Sequence, residues 1–283
     1  MVLNPLLAYK AELKQKEFKL ISRYINENYG IKLPDHKRIM LQGRLINRLI
    51  KLNFSNFKEY TDYVFSEEGK ILELPHMIDF ISTNKTDFFR ESAHFDFLKE
   101  TVIPEFHAAS KYQPMRIWSA ACSSGEEAYT IAMAAYDLIP VYSGFDFTIL
   151  GTDISHRMLE KAQKAIYHSR LIQTIPTETK KKYFLKSKDP GKSEVRVKKE
   201  LRAKVQFMRH NLMDKEYTIK KEFDVIFCRN VLIYFSKEDQ LHVLLNLSKK
   251  LKPGAYLFLG HSESITHLNL PLKNVNQTVF QKI

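Results

Sequence analysis

Met115-Arg116-Ile117-Trp118-Ser119-Ala120-Ala121-Cys122-Ser123-Ser124-Gly125-Glu126-Glu127 reads as a short apolar run, a turn of small residues and the start of a helix. The helical pattern it opens continues to residue 138, and the same order recurs downstream. Residues 147–152 predict a second strand and 155–167 a helix, 205–208 a third strand and 223–229 a fourth. Residues 237–251 predict a helix stopped at Lys252-Pro253-Gly254; 255–260 predict a fifth strand and 275–281 a last one. Strands alternating with helices give an α/β fold: a doubly wound, mostly parallel sheet covered on both faces, with an antiparallel final strand. Residues 168–205 break the alternation with Thr174-Ile175-Pro176, a lysine run at 180–182 and an Asp189-Pro190-Gly191 turn. They are read as an inserted small helix and β-hairpin.

No strand signal precedes residue 112. Residues 12–29 carry Phe18, Ile21, Tyr24 and Ile25 at helical spacing, and Gly30 fits a helix stop. Asp35 suits the N-cap of a second helix to residue 52, with Ile39, Leu45, Ile46, Leu49 and Ile50 on one face. Lys37, Arg44, Arg48 and Lys51 fall on the opposite face. A solvated outer face explains that stripe as readily as a docking surface does. Ser55 is placed to cap a third helix bearing Phe57, Tyr60 and Val64, and a fourth follows Gly69, with Pro75 inside it or at its edge. The expected domains are therefore a small helical one over 1–80 and the α/β one over 81–283, with the β insertion at about 168–205.

The 283 residues carry 44 Lys+Arg against 32 Asp+Glu, a net charge of +12. The excess is local: residues 1–51 hold 11 basic and 4 acidic side chains, and residues 168–205 hold 12 and 4. Two basic segments joined to a mildly acidic body suggest a negatively charged partner: nucleic acid, a membrane surface or an acidic protein. At 44% hydrophobic and 27% charged, the composition excludes a disordered chain. No apolar stretch is long enough for a transmembrane helix, and the run at residues 1–7, broken by Pro5, is no signal peptide. Cys122 and Cys228 make no disulfide scaffold, and no Cys/His spacing suits zinc, so no metal and a cytoplasmic location are expected.

In an open parallel sheet, ligands bind beyond the carboxyl ends of the strands. After the first strand the small residues at 119–125 allow close approach, but there is no G-x-G-x-x-G and no Walker loop. Glu126 and Glu127 at the helix start would repel a pyrophosphate and suit a cationic ligand; they also simply favour a helix N-terminus. Asp153 ends the second strand, where a carboxylate accepts from ribose hydroxyls, or equally caps the next helix. Asn211 and Leu212 follow the third strand, an amide to read a base edge beside an apolar neighbour. Arg229 and Asn230 follow the fourth, where a continuing core would be apolar. Asn84-Lys85-Thr86-Asp87-Phe88-Phe89-Arg90, between the helical region and the sheet, is either a linker with a helix cap or a segment that folds over the sheet's mouth.

These motifs taken in order resemble the bacterial chemotaxis receptor methyltransferases, the CheR family. The resemblance rests on Asn84-x-Thr86-x-Phe88-Phe89-Arg90, the run from Trp118 to Glu127, Thr152-Asp153-Ile154 and Asn211-Leu212. It continues through Phe223-Asp224-x-Ile226-Phe227-Cys228-Arg229-Asn230-Val231-x-Ile233-Tyr234-Phe235, Leu251-Lys252-Pro253-Gly254 and Gly260-His261-Ser262-Glu263. It spans nearly the whole chain. It implies a class I methyltransferase that uses S-adenosyl-L-methionine, releases S-adenosyl-L-homocysteine and esterifies glutamate side chains of chemoreceptors during adaptation. The family's cofactor contacts fall on Asn84, Thr86, Arg90, Glu127, Asp153, Asn211, Leu212, Arg229 and Asn230. Arg90 and Tyr234 match positions beside the transferred methyl group.

The implied partners are the cytoplasmic domains of methyl-accepting receptors, with a receptor C-terminal peptide as a candidate ligand of the β insertion. Lys37, Arg44, Arg48 and Lys51 are the candidate docking stripe. The enzyme is expected to be a cytoplasmic monomer recruited to membrane receptor arrays, with no nucleic acid bound. The competing readings are an RNA methyltransferase or other nucleic-acid-binding protein, suggested by the charge, and a non-catalytic receptor-docking adaptor. No RNA-binding motif supports the first, and intact Arg90, Asp153, Asn230 and Tyr234 weigh against the second.

Overall fold

The computed structural model describes residues 10–110, 113–263, 265 and 268–283; the run at residues 1–7 lies outside them. The chain divides into two compact units. The first comprises the described residues through Thr83 with Ile154–His156 and Tyr234–Asp239; the second holds the remainder.

The first unit contains α1 (Gln15–Tyr29), α2 (Arg38–Leu52), α3 (Phe57–Val64), α4 (Glu67–Leu72) and α5 (Leu74–Ile81). Gly30 ends α1 at φ 68°, its N–H donating to the Asn26 carbonyl. Asp35–Lys37 forms a 3-10 turn ahead of α2. The N-cap of α3 is Asn56, not Ser55: its side chain accepts from the Glu59 N–H, while Glu59 reaches back to accept from the Ser55 N–H, one residue before the cap. Phe18, Ile21, Ile25, Leu41, Leu45, Leu49, Tyr60 and Ile78 are among the residues of its core.

The buried face of α2 differs from the sequence expectation. It runs through Leu41, Leu45, Arg48 and Leu49, and Ile39 is 76% exposed. Arg48, placed in the exposed docking stripe by periodicity, is only 7% exposed. Its Nε donates to Glu73 Oε1 at 2.8 Å, its Nη2 pairs with Glu73 Oε2, and the Tyr60 hydroxyl donates to the same carboxylate at 3.0 Å. A charge can be buried where a partner and further hydrogen bonds satisfy it, and hydropathy alone does not register that partner. Arg44 turns toward the end of α5, donating to the carbonyls of Phe80 and Ile81 at 3.2 and 2.9 Å. Guanidinium groups suit the unpaired carbonyls of a helix C-terminus. Lys37 is half-buried, and Lys51 alone of the four is exposed.

In the second unit, α6 (Ala93–Phe97), a π-turn and α7 (Ile103–Ala109) precede the sheet. Its strands are β1 (Met115–Ala120), β2 (Phe147–Asp153), β6 (Val205–Arg209), β7 (Phe223–Cys228), β8 (Leu251–Leu259), β9 (Leu272–Asn276) and β10 (Val279–Lys282), in the order β6-β2-β1-β7-β8-β10-β9. The first five pair in parallel, and β10 is antiparallel to β8. The mostly parallel, doubly wound sheet expected from the alternation is present. Its end is a hairpin, β9 with β10, where the sequence predicted one strand. Trp118, with no exposed surface, donates from Nε1 to Thr152 Oγ1 at 2.9 Å, locking β1 to β2 from within the core.

Helices α8 (Glu126–Tyr136), α9 (His156–Lys164) and α12 (Lys237–Lys250) connect the strands. The insertion holds β3 (Ile166–His168), a 3-10 turn, α10 (Thr177–Tyr183), β4 (Phe184–Lys186), β5 (Glu194–Val197) and the short α11 (Lys199–Arg202). Its strands form a separate antiparallel sheet in the order β3-β5-β4, one strand more than a hairpin. Alternation of Val195 and Val197 inward with Glu194 and Arg196 outward gives that sheet one buried face.

Candidate active site

The strand order leaves the carboxyl ends of β6, β2, β1 and β7 side by side, with β1 the point from which the chain turns to either side. That is where an open α/β sheet binds its ligand. The turn after β1 has three left-handed residues, Ala121 at φ 61°, Ser123 at 49° and Gly125 at 93°. Such a turn aims backbone N–H groups inward, and here a carboxylate takes one of them. Asp153, at the end of β2 and 7% exposed, accepts from the Ser123 N–H at 2.8 Å. The Ser123 hydroxyl in turn donates to the Asn84 carbonyl at 3.1 Å, bringing the segment before Arg90 to this turn.

A second group centres on Arg229, which directly follows β7 and is 6% exposed. Its Nη1 donates to Glu127 Oε2 at 3.1 Å, and its Nη2 donates to Glu91 Oε2 at 2.7 Å and to the Arg90 carbonyl at 2.6 Å. Glu127 also accepts from the Ser119 hydroxyl at 2.7 Å, and Asn230 Nδ2 donates to Glu91 Oε1 at 3.1 Å. Burial raises the Glu127 carboxyl against the pull of Arg229. Burial acts on Glu91 too, but the hydrogen bonds from Asn230 and Arg229 prevail and hold it below the usual carboxylate range. Glu126, which accepts from the Ser124 hydroxyl and from its own backbone N–H, is pushed up to about 7, chiefly by burial and also by Asp87.

After β6, the His210 N–H donates to the Asp153 carbonyl at 3.1 Å, Asn211 Oδ1 accepts from the Met213 N–H, and Leu212 is buried. The Arg90 side chain is partly exposed and donates to the Lys85 carbonyl at 3.2 Å. Thr86 is likewise partly exposed. Thus Asn84 and Asp153 meet at the first turn, and Glu127, Arg229, Asn230 and the Arg90 backbone meet at the second group. Tyr234 closes the 3-10 turn Leu232–Tyr234 and belongs by its contacts to the first unit, as do Lys37, Arg44, Arg48 and Lys51. Cys122 and Cys228 are buried free thiols whose pKa burial pushes up, so neither is an activated nucleophile.

Two members escaped the reading of the sequence. Glu91 adjoins the Arg90 motif and pairs with both Arg229 and Asn230. Glu263 closes the Gly260-His261-Ser262-Glu263 motif and is 4% exposed. An acidic residue directly following an arginine motif was the available signal for the first; for the second it was its place in the Gly260–Glu263 motif.

Glu91, His94 and His261 also converge, with candidate ligand atoms within 4.8 Å of one another. A cation there would face the Arg229 guanidinium, which already occupies Glu91 Oε2.

The site fits a zwitterionic nucleoside cofactor. Glu91, Glu127 and Asp153 are carboxylates suited to a cationic group or to ribose hydroxyls, and Arg229 Nε is a buried donor with no hydrogen-bond partner among the described residues. The N–H of Ser123 is taken by Asp153, which disfavours a phosphate in that turn.

Fold and site together fit an α/β enzyme with a nucleoside cofactor. Residues 84–281 match the model of the CheR methyltransferase SAM-binding domain, and residues 16–82 that of the CheR methyltransferase all-alpha domain. The chain is 38% identical over 257 residues to a chemotaxis protein methyltransferase of Borreliella burgdorferi, covering 89% of each chain. It is 37% identical over 268 residues to that of Escherichia coli, covering 95% of this chain and 91% of the relative. A third, from Salmonella typhimurium, is 36% identical over 274 residues, covering 97% and 92%. The chain belongs to the CheR methyltransferase family, and its cofactor is S-adenosylmethionine. No helix among the described residues is long and apolar enough to cross a membrane.

Proposed function

We propose that this methyltransferase esterifies glutamate side chains on the cytoplasmic domains of chemoreceptors. Its family membership supports this, and one feature of the site carries it: Glu91, Glu127 and Asp153, the carboxylates nearest Arg229 and the turn after β1, are already engaged. Glu127 accepts from Ser119 and Arg229, Glu91 from Arg229 and Asn230, and Asp153 from the Ser123 backbone. A glutamate acceptor needs no base, because at a reference pKa of about 4.3 it is an anion at neutral pH. The bound cofactor supplies an electrophilic methyl group on a sulfonium.

The protein's task is then binding, alignment and exclusion of water. Asn84, Thr86, Glu127, Asp153, Asn211, Leu212, Arg229 and Asn230 hold the cofactor in this reading. Asp153 takes the ribose hydroxyls, and Asn211 with Leu212 takes the base. Arg90 and Tyr234 orient the reacting groups, and neither transfers a proton. The domains are the helical 1–80 and the catalytic 81–283. Lys37, Arg44 and Lys51 contribute to docking a receptor helix rich in acidic residues; Arg48, buried against Glu73, is withdrawn from that set. The β insertion is the candidate site for a receptor C-terminal peptide. The enzyme works as a cytoplasmic monomer recruited to receptor arrays.

Incubation with methyl-labelled S-adenosylmethionine and either a receptor signalling domain or RNA tests the reading. Base-labile label on the receptor domain is the expected result. Stable label on RNA, or no transfer to either, overturns it.

A further inference from the structure

The first residues after β7 carry Arg229 and Asn230, and a carboxylate from outside that strand holds their backbone in place. Glu263 Oε2 accepts from the Asn230 N–H at 2.9 Å and from the Gly260 N–H at 2.7 Å; Glu263 Oε1 accepts from the Leu232 N–H at 2.7 Å. Asn230 sits at φ 57°, a left-handed conformation that carries a steric cost for a residue with a side chain. A cost of this kind persists only where the surroundings fix it. The other wall is Gly260. A Cβ there would lie 2.5 Å from Asn230 Nδ2, 2.8 Å from the Asn230 nitrogen and 2.8 Å from Glu263 Oε2. The fit among the ends of β7 and β8 and the Glu263 carboxylate therefore leaves no room for a methyl group.

We propose that Glu263 is a positioning residue for the cofactor site: it holds the left-handed turn at Asn230, and through that turn aims Asn230 and Arg229. It rests on the reading that Asn230 contacts the cofactor. The line of influence is short. Asn230 Nδ2 bonds to Glu91, Glu91 to Arg229, and Arg229 to Glu127, so a shift of the Asn230 backbone disturbs the carboxylate–guanidinium group at the ends of β1 and β7. Among the described residues the charge of Glu263 serves no ion pair; backbone N–H groups donate to both of its oxygens. An amide in its place presents a donor to one of those donors, although its shape is nearly the same.

Glu263→Gln is the direct variant, with Asn230→Ala and the double variant beside it. The probe is S-adenosylhomocysteine, titrated calorimetrically. Glu263→Gln is expected to weaken its binding at least tenfold and to raise KM for S-adenosylmethionine, leaving KM for the acceptor domain within twofold. A merely structural carboxylate would lower the active fraction, and hence kcat, with KM for the cofactor unchanged; that result overturns the proposal. In the Asn230→Ala background the further loss from Glu263→Gln should shrink to under threefold, and additive losses overturn it. If Asn230→Ala alone binds the probe normally, the assignment of Asn230 fails, and this proposal with it. If Asn230→Ala weakens binding and Glu263→Gln does not, the assignment stands and only this proposal fails. Should Glu263→Gln not fold, Gly260→Ala tests the same turn from its other wall. Tenfold weaker binding is expected, and binding within twofold of the parent overturns the proposal.

Discussion

Asp153 and Ser123 are joined by a 2.8 Å hydrogen bond from the Ser123 backbone N–H to Asp153 Oδ2, which ties the end of β2 to the left-handed turn after β1. One carboxylate thus shapes the turn from the same position in which it is proposed to receive the ribose. Asp153→Ala should weaken S-adenosylhomocysteine binding by about 1–3 kcal/mol, the usual loss for hydrogen bonds to a charged group. Calorimetric affinity equal to that of the parent would remove Asp153 from the site.

Arg90 is partly exposed, and its side chain holds only the Lys85 carbonyl within its own segment. Arg90→Ala should therefore reduce kcat at least tenfold while the thermal midpoint moves by no more than a few degrees. Arg90→Lys should restore little, because a single ammonium lacks the planar fork. Full activity in the lysine variant would show that charge alone suffices.

Arg48 and Glu73 make a different prediction, about stability. Removing one partner of a buried pair leaves the other charge unmatched, at a cost of about 3–5 kcal/mol. Arg48→Ala should thus shift urea unfolding strongly, and adding Glu73→Ala should cost much less than its own effect in the parent. Additive losses would mean that the two do not act as a pair.

With Arg48 buried, the docking idea is tested at the outer positions. Lys37→Glu with Lys51→Glu should raise KM for the receptor domain several-fold at about 0.1 M salt and far less near 1 M, where screening shortens to about 3 Å. Cofactor affinity should not change. An unaltered KM at low salt assigns this stripe to solvent and leaves the basic insertion as the candidate contact.

The pH dependence of stability has two opposing parts. His94 is pushed down from 6.5 to about 4, mainly by burial and also by Arg229, with Glu91 opposing and His261 adding to the depression. Below about pH 6.5 the unfolded chain takes up this proton and the folded one does not. Stability from His94 is therefore lost as pH falls from 6.5 toward 4, by about 3 kcal/mol. Glu126 is pushed up to about 7 from 4.5, so its stability is full below 4.5 and is lost as pH rises through 7, by a similar amount. The parent should show a shallow profile where the two cancel. His94→Gln should make stability fall with rising pH, and Glu126→Gln should make it rise. Chemical unfolding at pH 5 and 7.5 reads both slopes, and parallel profiles for all three proteins would refute the assignment.

Periodicity and turn chemistry disclosed most of the sheet, because buried parallel strands are short apolar runs and Gly30 stops a helix; Pro253 and Gly254, read as a helix stop, lie inside β8, which follows α12 directly. The strand ends carrying Asp153, Arg229 and Asn230 were legible for the same reason: polar residues interrupt apolar runs there. What escaped depends on pairing across the chain. Arg48 looks like a surface residue until Glu73 is set beside it, 25 positions away. Glu263 stands in the Gly260-His261-Ser262-Glu263 motif, but only the fold turns its oxygens onto backbone N–H groups 31 and 33 positions back. The β9–β10 hairpin was missed because β9 is mostly exposed and lacks apolar alternation.

Gly151 has no role among the site's side chains, yet it sits where β2 is paired with β1 at Ser119 and with β6 at Phe207. A methyl group there would come within 2.6 Å of the Phe207 ring and 3.1 Å of Cys122 Sγ. That ring is itself packed on Tyr129, so relief would come at least in part from β6 sliding or tilting away from β2. Asp153 rides on one of those strands and Asn211 follows the other. The spacing between the proposed ribose and base contacts is thus gauged by a missing side chain. An inactive allele of this enzyme need not alter any group that touches a ligand; one carbon atom in the middle of the sheet would be enough to detune it.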